Sequence, residues 1–153
     1  MVIIYYCFGG AHSSVLAAAI HTHMLSTDRI PKKDEIINLP HYDKTPSQMI
    51  GIPFCFGKDE FGNRVYILGT GKAKKIVINA LKSFMEIEEI NQDEVYLENT
   101  LKNVNLLVRI GGFLSRGLGL IFPGRILTVY GLQRAYPKFV QMVKRVKEEI
   151  AVA

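Results

Sequence analysis

Val2 to Cys7 is a continuous β-prone run, Val-Ile-Ile-Tyr-Tyr-Cys, with no charged position to mark a solvent face. Such a run predicts a strand buried on both faces of a parallel sheet. Gly9-Gly10 ends it. From Ser13 or Ser14 to Met24 the chain is alanine-rich and begins on a hydroxyl, which predicts a capped helix packed closely against the sheet. The opening unit is therefore strand, glycine loop, helix.

Ser26 to Gly51 mixes Pro31, Pro40 and Pro46 with charges, so only Lys32 to Leu39 has room for one or two helical turns. Ile52 to Phe56 and Arg64 to Gly69 are β-prone runs, and the Gly62-Asn63 pair between them suits a turn with positive φ, predicting a hairpin. In Gly71 to Phe84 the apolar residues Ile76, Val77, Ala80, Leu81 and Phe84 fall on one helical face, with lysines mostly outside it. Glu94 to Leu97 is a weaker strand, Val104 to Leu118 a glycine-interrupted helix, and Ile126 to Tyr130 a β-branched strand. Pro137 is placed to begin a last helix that runs to about Ile150. Strands alternating with helices predict a three-layer α/β domain with a mainly parallel sheet, the hairpin lying near one edge.

At 153 residues the chain suits a single domain, 1–153, and 48% hydrophobic residues are enough for a sizeable core. Disorder and a disulfide-stapled scaffold are excluded by that composition. Cys7 and Cys55 are too few for a disulfide framework, and with no basic leader at the N-terminus the expected location is cytoplasmic. The longest apolar tract, Val104 to Phe122, carries Arg109, Arg116 and four glycines, so no membrane span is expected. A net charge of +5 favours anionic partners. No aromatic-rich RNA motif or recognition helix accompanies the lysines, which makes nucleic acid an unlikely partner.

Candidate chemistry concentrates in the first loop, Cys7-Phe-Gly-Gly-Ala-His-Ser-Ser14. It follows a strand and opens a helix, the place where open α/β sheets bind ligands. Consecutive glycines let backbone amides turn inward, and a helix N-terminus and two hydroxyls add to them. Gly9, Gly10, Ala11, His12, Ser13 and Ser14 are thus the expected anion-binding residues, against the alternative of a tight serine-capped turn. A Walker A loop needs a lysine that neither register supplies: Ser13 or His12 stands in its place. Phosphate binding is compatible with this loop, while NTP hydrolysis is expected to be weak or absent.

Cys7 and His12 are the candidate catalytic residues. A cysteine beside a helix N-terminus can serve as a nucleophile, but a Cys-x5-Arg phosphatase loop would require arginine where Ser13 stands. His12 can act as an acid or base, the usual role of a histidine beside a bound anion. His41 and Asp43 are accessory candidates if the proline-rich loop folds over the sheet. Arg116 is the candidate cationic anchor, with Arg109 and Arg125 as accessory residues, because guanidinium groups match phosphate geometry. His21 and His23 are two apart and diverge on a helix, so no metal site is expected.

Four strings, Ile3-Ile-Tyr-Tyr-Cys-Phe-Gly-Gly-Ala-His-Ser-Ser14, Leu39-Pro-His-Tyr-Asp-Lys-Thr45, Gly62-Asn-Arg-Val-Tyr-Ile-Leu-Gly69 and Arg109-Ile-Gly-Gly-Phe-Leu-Ser-Arg116, together resemble a family of small bacterial proteins catalogued only as a domain of unknown function. The likeness spans nearly the whole chain and implies no activity, cofactor or catalytic residue. More loosely, the first loop resembles a degenerate P-loop.

Taken together, the residues lead to the expectation of a protein that binds a phosphorylated small molecule or nucleotide on the first loop. Two alternatives stand beside it. One is a noncatalytic interaction module that uses Val104 to Phe122 as a partner surface, homo-oligomers included; the other is a thiol enzyme dependent on Cys7.

Overall fold

The computed structural model describes residues 1–152, without the side chain of Ser47. It is a mixed α/β fold around one four-stranded sheet, ordered β2-β3-β1-β4. The strands are β1 (Val2–Cys7), β2 (Phe54–Lys58), β3 (Arg64–Gly69) and β4 (Val95–Asn99). β1 lies between β3 and β4 and runs parallel to both, while β2 pairs antiparallel with β3 at the edge. A mainly parallel sheet with a hairpin at one edge is present as expected, but the parallel partners of β1 are β3 and β4 and not the expected Ile126 to Tyr130; β1 takes the central position that its uninterrupted apolar run demands.

Alternation along β1 assigns its faces. Ile3 and Tyr5, with Val65 and Ile67 beside them, join the main core, which is completed by α1 (Ser13–His21) and α5 (Ile121–Ala151). Every residue of α1 is buried, and the run Ala17-Ala18-Ala19 has no bulk to hold it off the sheet. α5 contributes Leu132, Tyr136, Phe139, Val143 and Val146 to the same cluster. The crossovers from β1 to β3 and from β3 to β4 run in opposite directions across the sheet. Right-handed connections therefore send α3 (Lys74–Ile87) to the face opposite α1.

Several sequence expectations change in the folded chain. Ile126 to Tyr130 is not a strand: it lies within α5. Its β-branched residues are overridden by packing, because Gly124, Thr128 and Gly131 form a helical stripe against α4 (Leu106–Gly112). A Cβ on Gly111 would come within 2.6 Å of the Gly124 carbonyl oxygen, so the two backbones meet without side chains between them. Pro137 does not begin a helix but sits inside α5; the proline at a helix start is Pro123, directly after the non-helical Phe122. Glycine interruption in Val104 to Leu118 appears as a change from α4 to a π-turn, Phe113–Gly117.

In α3 the inward face is shifted from the predicted one. Met85 is buried and Val77, Ile78 and Leu81 are half-buried, whereas Ile76 and Phe84 stand exposed. α1 stops at His21 rather than Met24, and α2 (Lys33–Ile37) is the short helix foreseen between the prolines. Among the described residues no helix is long and apolar enough to cross a membrane.

Candidate functional site

The first loop leaves the sheet at the C-terminal end of β1, where Thr70 and Gly71 after β3 donate backbone hydrogen bonds to the carbonyls of Cys7 (2.9 Å) and Phe8 (2.8 Å). The two strand ends therefore form one floor. Gly10 has φ +64°, and a Cβ there would stand 2.7 Å from the Gly69 amide nitrogen. Only glycine combines that left-handed conformation with so close an approach.

Within the loop, Cys7 Sγ is a local centre. It accepts from the Gly10 amide at 3.1 Å and is 3.2 Å from the Ser14 hydroxyl. Ser13 Oγ pairs instead with Thr100 Oγ1 at 2.9 Å, and Thr100 donates onward to the Tyr6 carbonyl. Thr45 Oγ1 donates to the Gly10 carbonyl at 3.2 Å. Two threonines that the sequence reading passed over thus brace the loop from both sides. Thr100 follows the C-terminal end of β4, the same sheet end as the loop, and that position was its available signal.

The proline-rich segment does fold over this end of the sheet. The Asp43 amide donates to the Ala11 carbonyl at 2.9 Å, and Asp43 Oδ1 lies 3.1 Å from His12 Nε2. Arg125 Nε donates to Asp43 Oδ2 at 3.0 Å. Burial pushes the Asp43 carboxyl up, but hydrogen bonds and charge from His12, with help from Arg125, hold it at about 2. Arg116 donates to the backbone carbonyls of Asp43 and Thr45, pinning this segment from the π-turn. Asp43 and His41 both have positive φ, 53° and 62°, a conformation unusual outside glycine.

A cleft of about 640 Å³ opens over this end of the sheet. Cys7, Gly9, His12, Ser13 and Thr45 line one side; Arg109, Gly112 and Arg116 line the other, with Phe8, Ile50, Leu101, Val104, Val108 and Phe113 as apolar walls. The volume and the mixture of apolar walls with a few polar groups are those of a small-molecule site. Gly112 matters for access: a Cβ there would lie 3.5 Å from His12 Nδ1. Nε2 is the ring nitrogen engaged by Asp43.

The structure therefore brings Cys7, Gly9, His12, Ser13, Arg109 and Arg116 to one cleft. Asp43 and Arg125 stand behind His12 and do not line it. Gly10, Ala11 and Ser14 are buried in the loop; the Gly10 amide and the Ser14 hydroxyl are turned onto Cys7. His41 lies apart, against Phe54 with ring centroids 5.5 Å away. Cys55 is exposed on β2.

A second polar chain runs through the core, away from the cleft. Tyr5 Oη lies 2.7 Å from His21 Nδ1, and His21 Nε2 lies 3.2 Å from Asp59 Oδ2. Asp59 also accepts from the amides of Phe61 and Asn63, closing the hairpin turn. The chain ties the end of α1 to β1 and to the hairpin, so it belongs to the scaffold.

No curated protein and no solved structure matches the chain. A family profile described as "Protein of unknown function (DUF3189)" matches residues 2–148, nearly the whole length, and the protein belongs to that family.

Proposed function

We propose that the cleft binds a small phosphorylated molecule, its anionic group held between the first loop and Arg109 and Arg116. The observation that carries this reading is the shared lining of one cleft by Gly9, His12, Ser13 and the two arginines. Arg116 keeps donors in hand after its contacts with the Asp43 and Thr45 carbonyls, because a guanidinium carries several N–H groups. Apolar walls opposite these donors suit a ligand with an organic body as well as a phosphate, a nucleotide or sugar phosphate among them.

The test is a thermal-shift panel of inorganic phosphate, pyrophosphate, sugar phosphates and nucleotides. A ligand present at about 100 times its Kd stabilises by about 2.7 kcal/mol, and Arg109→Gln is expected to reduce that shift. A flat response across the panel, or a shift unchanged in Arg109→Gln, would sink the reading.

One observation favours a second reading, a thiol enzyme: Cys7 lines the cleft, and its Sγ is approached by both the Gly10 amide and the Ser14 hydroxyl. Mass spectrometry of iodoacetamide-treated protein separates the two. Cys7 is 4% exposed and Cys55 is exposed, so a structural Cys7 labels far more slowly than Cys55. Labelling of Cys7 at the rate of Cys55, with protection by phosphate, would favour thiol chemistry.

A further inference from the structure

The joint between α4 and α5 exposes a run of large apolar side chains. Leu118, Leu120, Ile121 and Phe122 are 56%, 49%, 53% and 77% exposed, and Phe113 beside them is 61% exposed. None of Leu118, Leu120, Ile121 and Phe122 lines the cleft. Isolated apolar residues on a surface are ordinary; a consecutive group on one protruding turn is not.

Charge surrounds this turn asymmetrically. Residues 99–147 contain nine lysines and arginines and no acidic residue, whereas residues 1–98 hold ten basic and twelve acidic ones. Lys102, Arg109, Arg134, Lys138 and Lys144 are exposed, and those on α5 are spread along a helix about 45 Å long. A turn of large apolar side chains, followed along α5 by the exposed cations Arg134 and Lys138, complements a layer of lipid phosphates over acyl chains.

We propose that the α4–α5 turn docks on an anionic lipid surface, with Leu118, Ile121 and Phe122 entering the boundary between headgroups and acyl chains. The exposed cations of α5 rest on the lipid phosphates. Attachment is peripheral, with no segment spanning the bilayer, and it does not depend on what the cleft binds.

Vesicle co-sedimentation tests this, using phosphatidylcholine alone and phosphatidylcholine mixed with phosphatidylglycerol. The protein is expected to bind the anionic vesicles, to ignore the neutral ones, and to be released as salt is raised. Because the chain has no tryptophan, the Phe122→Trp variant carries a single reporter whose emission should shift to the blue on anionic vesicles. The double variant Ile121→Ser, Phe122→Ser should weaken binding about tenfold or more, the effect of withdrawing two large apolar side chains. Both positions are exposed, and circular dichroism checks that the fold is kept. Absence of binding, equal binding to neutral vesicles, an unshifted indole emission in the Phe122→Trp variant, or full binding by the double variant would overturn the proposal. So would a concentration-dependent dimer in sedimentation velocity that the double variant dissolves, which would assign the turn to a second copy of the chain.

Discussion

His12 and Asp43 are 31 residues apart in sequence, yet Nε2 and Oδ1 lie 3.1 Å apart with both side chains largely buried. Asp43 is held in turn by Arg125. A carboxylate fixed from both sides orients the imidazole of a histidine that lines the cleft.

This pairing carries a pH signature. The folded Asp43 carboxyl sits at about 2, below the roughly 3.9 of an unfolded aspartate. A depressed carboxyl stabilises the fold above the unfolded value, and that contribution is lost as pH falls from about 4 toward 2. Asp43→Asn should therefore lower stability at pH 7 by about 2 kcal/mol and remove this part of the acid dependence. Urea unfolding of both proteins from about pH 2 to 7 measures it; parallel profiles would refute the assignment.

His21 gives the second signature in a different window. Burial lowers its pKa, although Asp59 opposes this. Below about pH 6.5 the unfolded histidine takes up a proton that the folded one resists, so stability falls as pH drops through that value toward the folded pKa. His21→Gln should flatten the slope below about pH 6.5, at a cost of roughly 1–3 kcal/mol from the broken Tyr5 and Asp59 hydrogen bonds. Tyr5→Phe, which keeps the ring and loses only the hydroxyl, should cost about 1 kcal/mol. Thermal melts across this pH range decide it.

Gly124→Ala tests the close contact of α4 and α5. A Cβ there would lie 2.6 Å from the Ser115 backbone nitrogen and 2.8 Å from the Gly111 carbonyl oxygen. Neither backbone atom can swing aside as a side-chain end would. We expect a loss of about 2–3 kcal/mol, measured by urea unfolding, despite the helix propensity that alanine adds. A neutral or stabilising result would mean that the helices part at little cost.

Arg145→Met isolates a buried charge. Arg145 Nη2 pairs with Glu98 at 2.8 Å, and Glu98 is buried on β4 beside Tyr5 across the sheet. Removing the cation leaves the carboxylate without its partner, at an expected cost of about 2–3 kcal/mol. Repeating the substitution on Glu98→Gln should cost much less; an equal loss on both backgrounds would show that the pair is uncoupled.

Local chemistry in the sequence was enough for β1, the glycine loop, the start of α1 and the hairpin, because a six-residue apolar run and a glycine pair constrain the backbone wherever they occur. It also located one wall of the cleft, since loops after the central strands of a parallel sheet open on the same end. Ile126 to Tyr130 was not legible, because its helical state depends on Gly111 and Gly124 meeting from separate segments, a contact that β-branched propensity does not register. Likewise, along the chain Arg109 and Arg125 have the same standing, as accessories to Arg116. Only tertiary packing sets Arg109 on the cleft and turns Arg125 onto Asp43 behind it, because the direction in which a helix presents a side chain is decided by what the rest of that helix buries.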